Sequence, residues 1–156
     1  MGVERFHYYA SLFGFGQKTR IDLTEEGGGI LPSRAFMDRR WGKGNWTDYA
    51  LMNWGIGQGE VQVTPLQLCA YTAAIANDGV WCQPHAVREI YSKKLRKKYN
   101  TAYESRKIPI EQKWFDLVQD ALSGVIEEGT GRSLKSLNLN ICGKTGTAQA
   151  PRGKPD

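Results

Sequence analysis

Gly143-Lys144-Thr145-Gly146-Thr147-Ala148-Gln149 stands near the end of this 156-residue chain, inside a run from Leu139 to Gln149 that reads as a β-strand. Gly146 has no Cβ, so an extended ligand can lie directly against such a strand. Lys144 sets a fixed cation beside it, suited to a carboxylate and to favouring a deprotonated hydroxyl nearby. Thr145 and Thr147 add hydroxyls that can hold the same carboxylate. The backbone N–H of Thr147 can aim at a developing oxyanion, and one well-placed donor of that kind is worth roughly 3 kcal/mol of transition-state stabilisation. A phosphate-binding loop is excluded. Gly143-Lys144-Thr145 matches the end of a Walker A loop, but the glycine required five residues earlier is Asn138, and Ala148-Gln149-Ala150-Pro151 heads for a turn where a helix is needed.

Upstream of this strand the chain alternates helices and short extended pieces. Ile110 to Glu128 reads as a helix, with Trp114, Leu117, Val118, Ala121, Leu122 and Val125 on one apolar face and Gly129 ending it. Thr64 to Ala76 is a second helix. Thr64 is a suitable N-cap and Pro65 fits the first helical position. Leu66, Leu68, Cys69, Ala70, Ala73, Ala74 and Ile75 leave little polar face, which predicts burial all round. Asn77-Asp78-Gly79 stops that helix through positive-φ chemistry. Val80-Trp81 and His85 to Tyr91 read as short strands around Pro84. Glu4 to Leu12 reads as the end of a helix halted by Phe13-Gly14-Phe15-Gly16, and Ser33 to Arg39 as a short helix. Lys18 to Gly29 is a loop with one extended piece at Ile21-Asp22-Leu23. Trp41, Trp46 and Trp54 are expected to cover the core, and polar Gln58 to hold its glycine-rich turn. A helix leading into the Lys144 strand suits an antiparallel sheet with helices packed on it, an α/β chain of the α+β type.

The net charge of +5 raises nucleic acid as a partner. Its placement argues against that class, because much of it clusters in Lys93, Lys94, Arg96, Lys97, Lys98, Arg106 and Lys107, a stretch that reads as a solvated hairpin or loop. No zinc-finger, KH or RRM signature is present. Cys69, Cys82 and Cys142 have neither metal spacing nor an even framework, and Cys69 and Cys142 read as small core residues. His7 and His85 have no Ser or Cys partner in a recognisable motif. No cofactor or metal is expected. No apolar run approaches the roughly 18 residues that a membrane-spanning helix needs.

Several motifs stand in a fixed order: Phe13-Gly14-Phe15-Gly16, Ile21-Asp22-Leu23, Gly55-Ile56-Gly57-Gln58-Gly59, Val63-Thr64-Pro65-Leu66-Gln67, Ala76-Asn77-Asp78-Gly79, Gly129-Thr130-Gly131 and the Lys144 strand. Together they resemble the transpeptidase domain of class B penicillin-binding proteins. The Gly55–Gly59 form is closer to the elongation-type protein 2 than to the division-type protein 3. A Lys-Thr-Gly strand is one of three short signatures of such enzymes, beside an S-x-x-K nucleophile and an S-x-N loop. No serine here has lysine three positions later, and Ser136-Leu137-Asn138 lies on the approach to the Lys144 strand, where it cannot form the opposing wall.

The resemblance implies the penicillin-binding protein and serine β-lactamase-like fold, with residues 1–156 as a partial domain lacking the S-x-x-K and S-x-N segments and the final strands. It implies a peptidoglycan D,D-transpeptidase that works through an acyl-serine, with the nucleophile outside this chain and the piece alone inactive. A non-catalytic sensor or scaffold with the same fold is the alternative. Lys144 and the Thr147 N–H would be catalytic, while Thr145, Gly146 and Thr147 would bind substrate. The implied partners are peptidoglycan stem peptides, β-lactams and a membrane glycan polymerase, with no nucleic acid. The implied location is the periplasmic side of the cytoplasmic membrane, with an anchoring span outside this chain.

Overall fold

The structure, a computed structural model, describes residues 2–137, 139 and 141–146. Helix α1 (Val3–Leu12) leads through a glycine-rich loop to α2 (Arg34–Trp41), whose N-cap Ser33 accepts a hydrogen bond from Phe36 N. A short α3 (Ala50–Gly55) precedes α4 (Pro65–Ala76). The start of α4 is as read: the Thr64 side chain accepts from Gln67 N, and the Gln67 side chain accepts in return from Thr64 N, a reciprocal capping box. Strands β1 (Val80–Cys82), β2 (Glu89–Ser92), β3 (Lys97–Asn100) and β4 (Ser105–Lys107) follow, then α5 (Gln112–Glu127) and a 3-10 helix, Arg132–Leu137. Strand pairing is antiparallel: β1 lies on β4 with Trp81 opposite Arg106, and β2 on β3 with Ile90 opposite Tyr99.

Two apolar clusters hold these elements. Val3, Met37 and Trp54 form one, with Phe6, Phe36 and Leu51 packed against it. Ala70, Ala74, Trp81, Ile108 and Phe115 form the other, joined by Leu12 and Phe13. Helix α1 therefore ties the clusters together, its first turn in one and its last in the other. Gly79 sits where α4 turns into β1, with φ +81° and a Phe115 ring atom only 2.4 Å from where a Cβ would stand. The conformation and the close approach both demand glycine.

Gln67 is 1% exposed and acts as a polar pin. Its Nε2 donates to Gln17 O (2.7 Å) and Gly28 O (2.7 Å), while its Oε1 accepts from Thr64 N (2.9 Å). The loop between α1 and α2 is further closed by Glu26, which accepts from Thr19 N and Arg20 N.

Several expectations are corrected. Helix α4 buries one face only (Gln67, Ala70, Ala74, Ile75), and Leu68 and Cys69 are exposed. Its near-continuous apolar composition hid which stripe meets the neighbours. In α5 the buried residues are Phe115 and Ile126, while Trp114, Leu117, Val118 and Ala121 are exposed. That helix carries apolar residues on two sides, and the richer stripe is not the one this core uses. Ile21-Asp22-Leu23 is a bend with no ladder partner, because Asp22 accepts from Ala86 N and Val87 N as a side-chain clasp. Strand β2 begins at Glu89, four residues after the expected start. Of the three tryptophans, Trp54 is core and Trp46 packs against the core, but Trp41 is exposed.

Candidate functional site

The site is built at the C-terminal end of α5. The N–H groups of Glu128 and Gly129 both donate to Gly124 O, and the Gly131 N–H donates to Val125 O (2.9 Å), so the chain leaves the helix in a tight turn. A side chain at Gly129 has no room, since its Cβ would stand 2.9 Å from Val125 Cα, whereas one at Gly131 would have to displace the flexible end of Ile126, whose Cδ1 lies 2.6 Å from the Cβ position. The 3-10 helix then lies against α5, where Lys135 pairs with Glu127 at 2.5 Å. The chain returns along α5 at residues 141–146, where Gly143 N donates to Leu122 O (3.1 Å).

Residues 141–146 have no regular secondary structure, so the strand expected over Leu139 to Gln149 is not formed there. The physical reason is the lack of a ladder partner: among the described residues neither antiparallel pair, β1–β4 or β2–β3, lies beside this segment. Cys142, read as a core residue on that strand, is accordingly exposed.

Lys144, Thr145 and Gly146 are adjacent and exposed. The Thr145 hydroxyl lies 3.0 Å from the hydroxyl of Thr130, which locks the Lys-Thr-Gly segment to the turn that ends α5. The Lys144 ammonium donates to Thr145 O (2.7 Å) and makes no ion pair with a described residue. A Cβ at Gly146 would meet nothing within 4 Å, and its φ is not positive. Among the described residues, neither packing nor backbone conformation calls for glycine at 146. Thr147 and its N–H lie outside the described residues, as does Asn138 of Ser136-Leu137-Asn138. The described edge thus offers an unpaired cation, a hydroxyl and an open stretch of backbone, the features of a wall that takes an anionic, extended ligand.

Two surface cavities lie elsewhere. One is lined by Gly14, Gln17, Trp81 and Arg106 among others. The other, about 280 Å³, is lined by Ile30, Phe36, Arg40, Gly59, Glu60 and Gln62. Neither touches the Lys144 edge, and among the described residues no group of His, Cys, Asp and Glu is placed to hold a metal.

Two residues escaped the sequence reading. Thr130 was visible only as the middle of a Gly-Thr-Gly turn. Glu60 accepts from the indole N–H groups of Trp41 (3.0 Å) and Trp54 (2.9 Å), which fixes the turn holding Gly57 and Gly59. Burial pushes the Glu60 carboxyl up, but the Trp54 indole, its own backbone N–H, the Trp41 indole and the Arg40 charge together outweigh this and hold it below the usual carboxylate range. An acid flanked by spaced tryptophans was the signal available.

Helices packed with antiparallel strand pairs, and a Lys-Thr-Gly segment returning beside a long helix, fit the class of penicillin-binding proteins. Residues 1–155 match the penicillin binding protein transpeptidase domain, and the chain belongs to that family. It is 36% identical to the peptidoglycan D,D-transpeptidase MrdA of Acinetobacter baumannii over 96% of this chain and 22% of that protein. The structure is similar to Pseudomonas aeruginosa PBP2 in complex with WCK 5153 (TM-score 0.70, 29% identity, 86% of this chain and 29% of that one). It is similar also to a chain from a peptidoglycan synthase complex that coordinates polymerization and crosslinking (TM-score 0.80, 29% identity, 96% of this chain and 24% of that one). The chain spans about a quarter of the length of these relatives. The family, the mixed helix and antiparallel-strand fold and the elongation-type likeness all agree with the sequence reading.

Proposed function

We propose that this chain is the C-terminal part of the catalytic domain of a serine D,D-transpeptidase that cross-links peptidoglycan. The observation that carries the reading is the family match over residues 1–155 together with an exposed Lys144-Thr145-Gly146 edge, in which neither the Lys144 charge nor the open face at Gly146 is taken by a described residue. A serine outside these residues attacks the carbonyl of the penultimate D-alanine of a donor stem peptide. The tetrahedral intermediate collapses, the C–N bond breaks and the terminal D-alanine leaves with a proton on its nitrogen. An amine of a neighbouring stem then attacks the acyl-serine and restores the hydroxyl. A β-lactam acylates the same serine, and its ring nitrogen stays tethered to the adduct.

In this reading Lys144 places its charge beside the nucleophile's proton network, and Thr145 and Thr147 hold the substrate carboxylate. The Thr147 N–H supplies one donor to the oxyanion. Gly146 leaves the edge open to the peptide. The second apolar stripe of α5, from Trp114 to Ala121, supports a larger domain in which that helix is covered on both sides. The full protein works with a membrane glycan polymerase on the periplasmic side of the cytoplasmic membrane; the polymerization and crosslinking complex named above supports the partner.

Intact mass after incubation with a penicillin tests this. A serine-linked adduct is expected on a version extended upstream through an S-x-x-K segment, and none on the 156-residue chain. A stoichiometric adduct on the short chain, or none on a folded extended protein, would overturn the reading.

A further inference from the structure

The β2–β3 hairpin belongs to neither apolar cluster and takes no part in the Lys144 edge. It runs from Glu89 to Asn100, closed by a four-residue turn at 93–96, and every residue but Ser92 is exposed. Lys93, Lys94, Arg96, Lys97 and Lys98 stand against Glu89 alone, a net charge of +4 where the whole chain carries +5. Glu89 is taken by Lys98 at 2.9 Å, and Lys93, Lys94 and Arg96 make no ion pair with a described residue. The charge of this protein is therefore concentrated on one projecting finger.

That finger is also apolar at its tip. Leu95 is 63% exposed between Lys94 and Arg96, held there by its N–H donating to Ser92 Oγ and by the left-handed φ of +48° at Arg96. Behind it, Ile90 and Tyr99 face each other across one side of the hairpin, with the Lys97 ammonium 5.7 Å from the Tyr99 ring centroid. Tyr91, paired with Lys98, lies on the other side. A soluble polyanion would use the cations alone and gives no reason for an exposed leucine at the apex or for tyrosines on both faces. A membrane surface uses all three: phosphates for the cations, the headgroup level for the tyrosines and the acyl boundary for the leucine.

We propose that the β2–β3 hairpin docks on a membrane surface bearing anionic phospholipid headgroups, with Leu95 entering the acyl boundary and Lys93, Lys94, Arg96 and Lys97 on the phosphates. This is independent of the acyl-transfer reading. The test is flotation of the soluble domain, extended upstream through its S-x-x-K segment and without a membrane-spanning segment, with vesicles of phosphatidylcholine, with and without phosphatidylglycerol, at low and high salt. Binding is expected only with phosphatidylglycerol, and weaker at high salt. Replacing Lys93, Lys94 and Arg96 together by Gln is expected to cut partition about 100-fold, at roughly fivefold per cation. Leu95→Ser is expected to cut it about tenfold. Circular dichroism should be unchanged in both variants, because the hairpin stands off the core. Absence of binding, or binding that survives the triple replacement, would overturn the proposal. So would binding that inorganic polyphosphate abolishes while Leu95→Ser leaves it intact, which would assign the finger to a soluble polyanion.

Discussion

The loop between α1 and α2 and the segment at 141–146 are both irregular and both rich in glycine, but they are held very differently. Gln67 pins the first from beneath through Gln17 and Gly28, Glu26 closes it from within, and Asp22 clasps it to Ala86 and Val87. Among the described residues the second hangs on one backbone bond from Gly143 to Leu122 and one hydroxyl contact between Thr145 and Thr130. The residues of the first are spent on the fold. In the second, Lys144 and Gly146 are not used by the packing of the described residues. A motif that the fold does not require points to a ligand, and that difference is the strongest physical ground for reading Lys-Thr-Gly as function.

The contrast can be broken at either end. Gln67→Leu should have the largest effect, because it leaves Gln17 O, Gly28 O and Thr64 N without partners. With unsatisfied buried groups costing roughly 1–3 kcal/mol each, a loss of about 3–4 kcal/mol is expected in urea unfolding. A loss below about 1 kcal/mol would show that the loop is not pinned there. Gly79→Ala should cost about 2–3 kcal/mol, since the new Cβ meets the Phe115 ring in a left-handed conformation.

Glu60 gives a smaller, pH-dependent effect. Its folded carboxyl is held below the usual range, so the stability it adds is present above the unfolded value near pH 4.5 and is lost as pH falls through the folded value. Unfolding midpoints followed from about pH 5 to pH 3 should fall less steeply in Glu60→Gln than in the parent; parallel curves would remove Glu60 from the fold's supports. Thr145→Val should be the mildest change, within about 0.5 kcal/mol of the parent by thermal unfolding. A larger loss would mean that the segment at 141–146 is a structural support after all.

Local signals were the most legible in the sequence. Thr64 and Pro65 announced α4, and the basic run from Lys93 to Lys98 announced a solvated hairpin or loop, because capping, turn and solvation chemistry act within a few residues. Which face of a helix is buried was less legible. Composition marks Trp114 and Leu117 as apolar, but only the neighbours decide that Phe115 and Ile126 go inward. The strand at Lys144 was misread for the same reason. A strand is defined by its partner, and its own alternation could not show that no described strand lies beside it. The Thr130–Thr145 contact joins residues 15 apart through a turn, which no local pattern encodes.

The central claim is that Lys144 serves chemistry and not structure. The direct test is penicillin acylation of the protein extended upstream through its nucleophile, measured beside thermal unfolding, for the parent and Lys144→Ala. The account predicts acylation slower by about 100-fold or more with an unchanged unfolding midpoint. Acylation at the parent rate in a folded variant would contradict it.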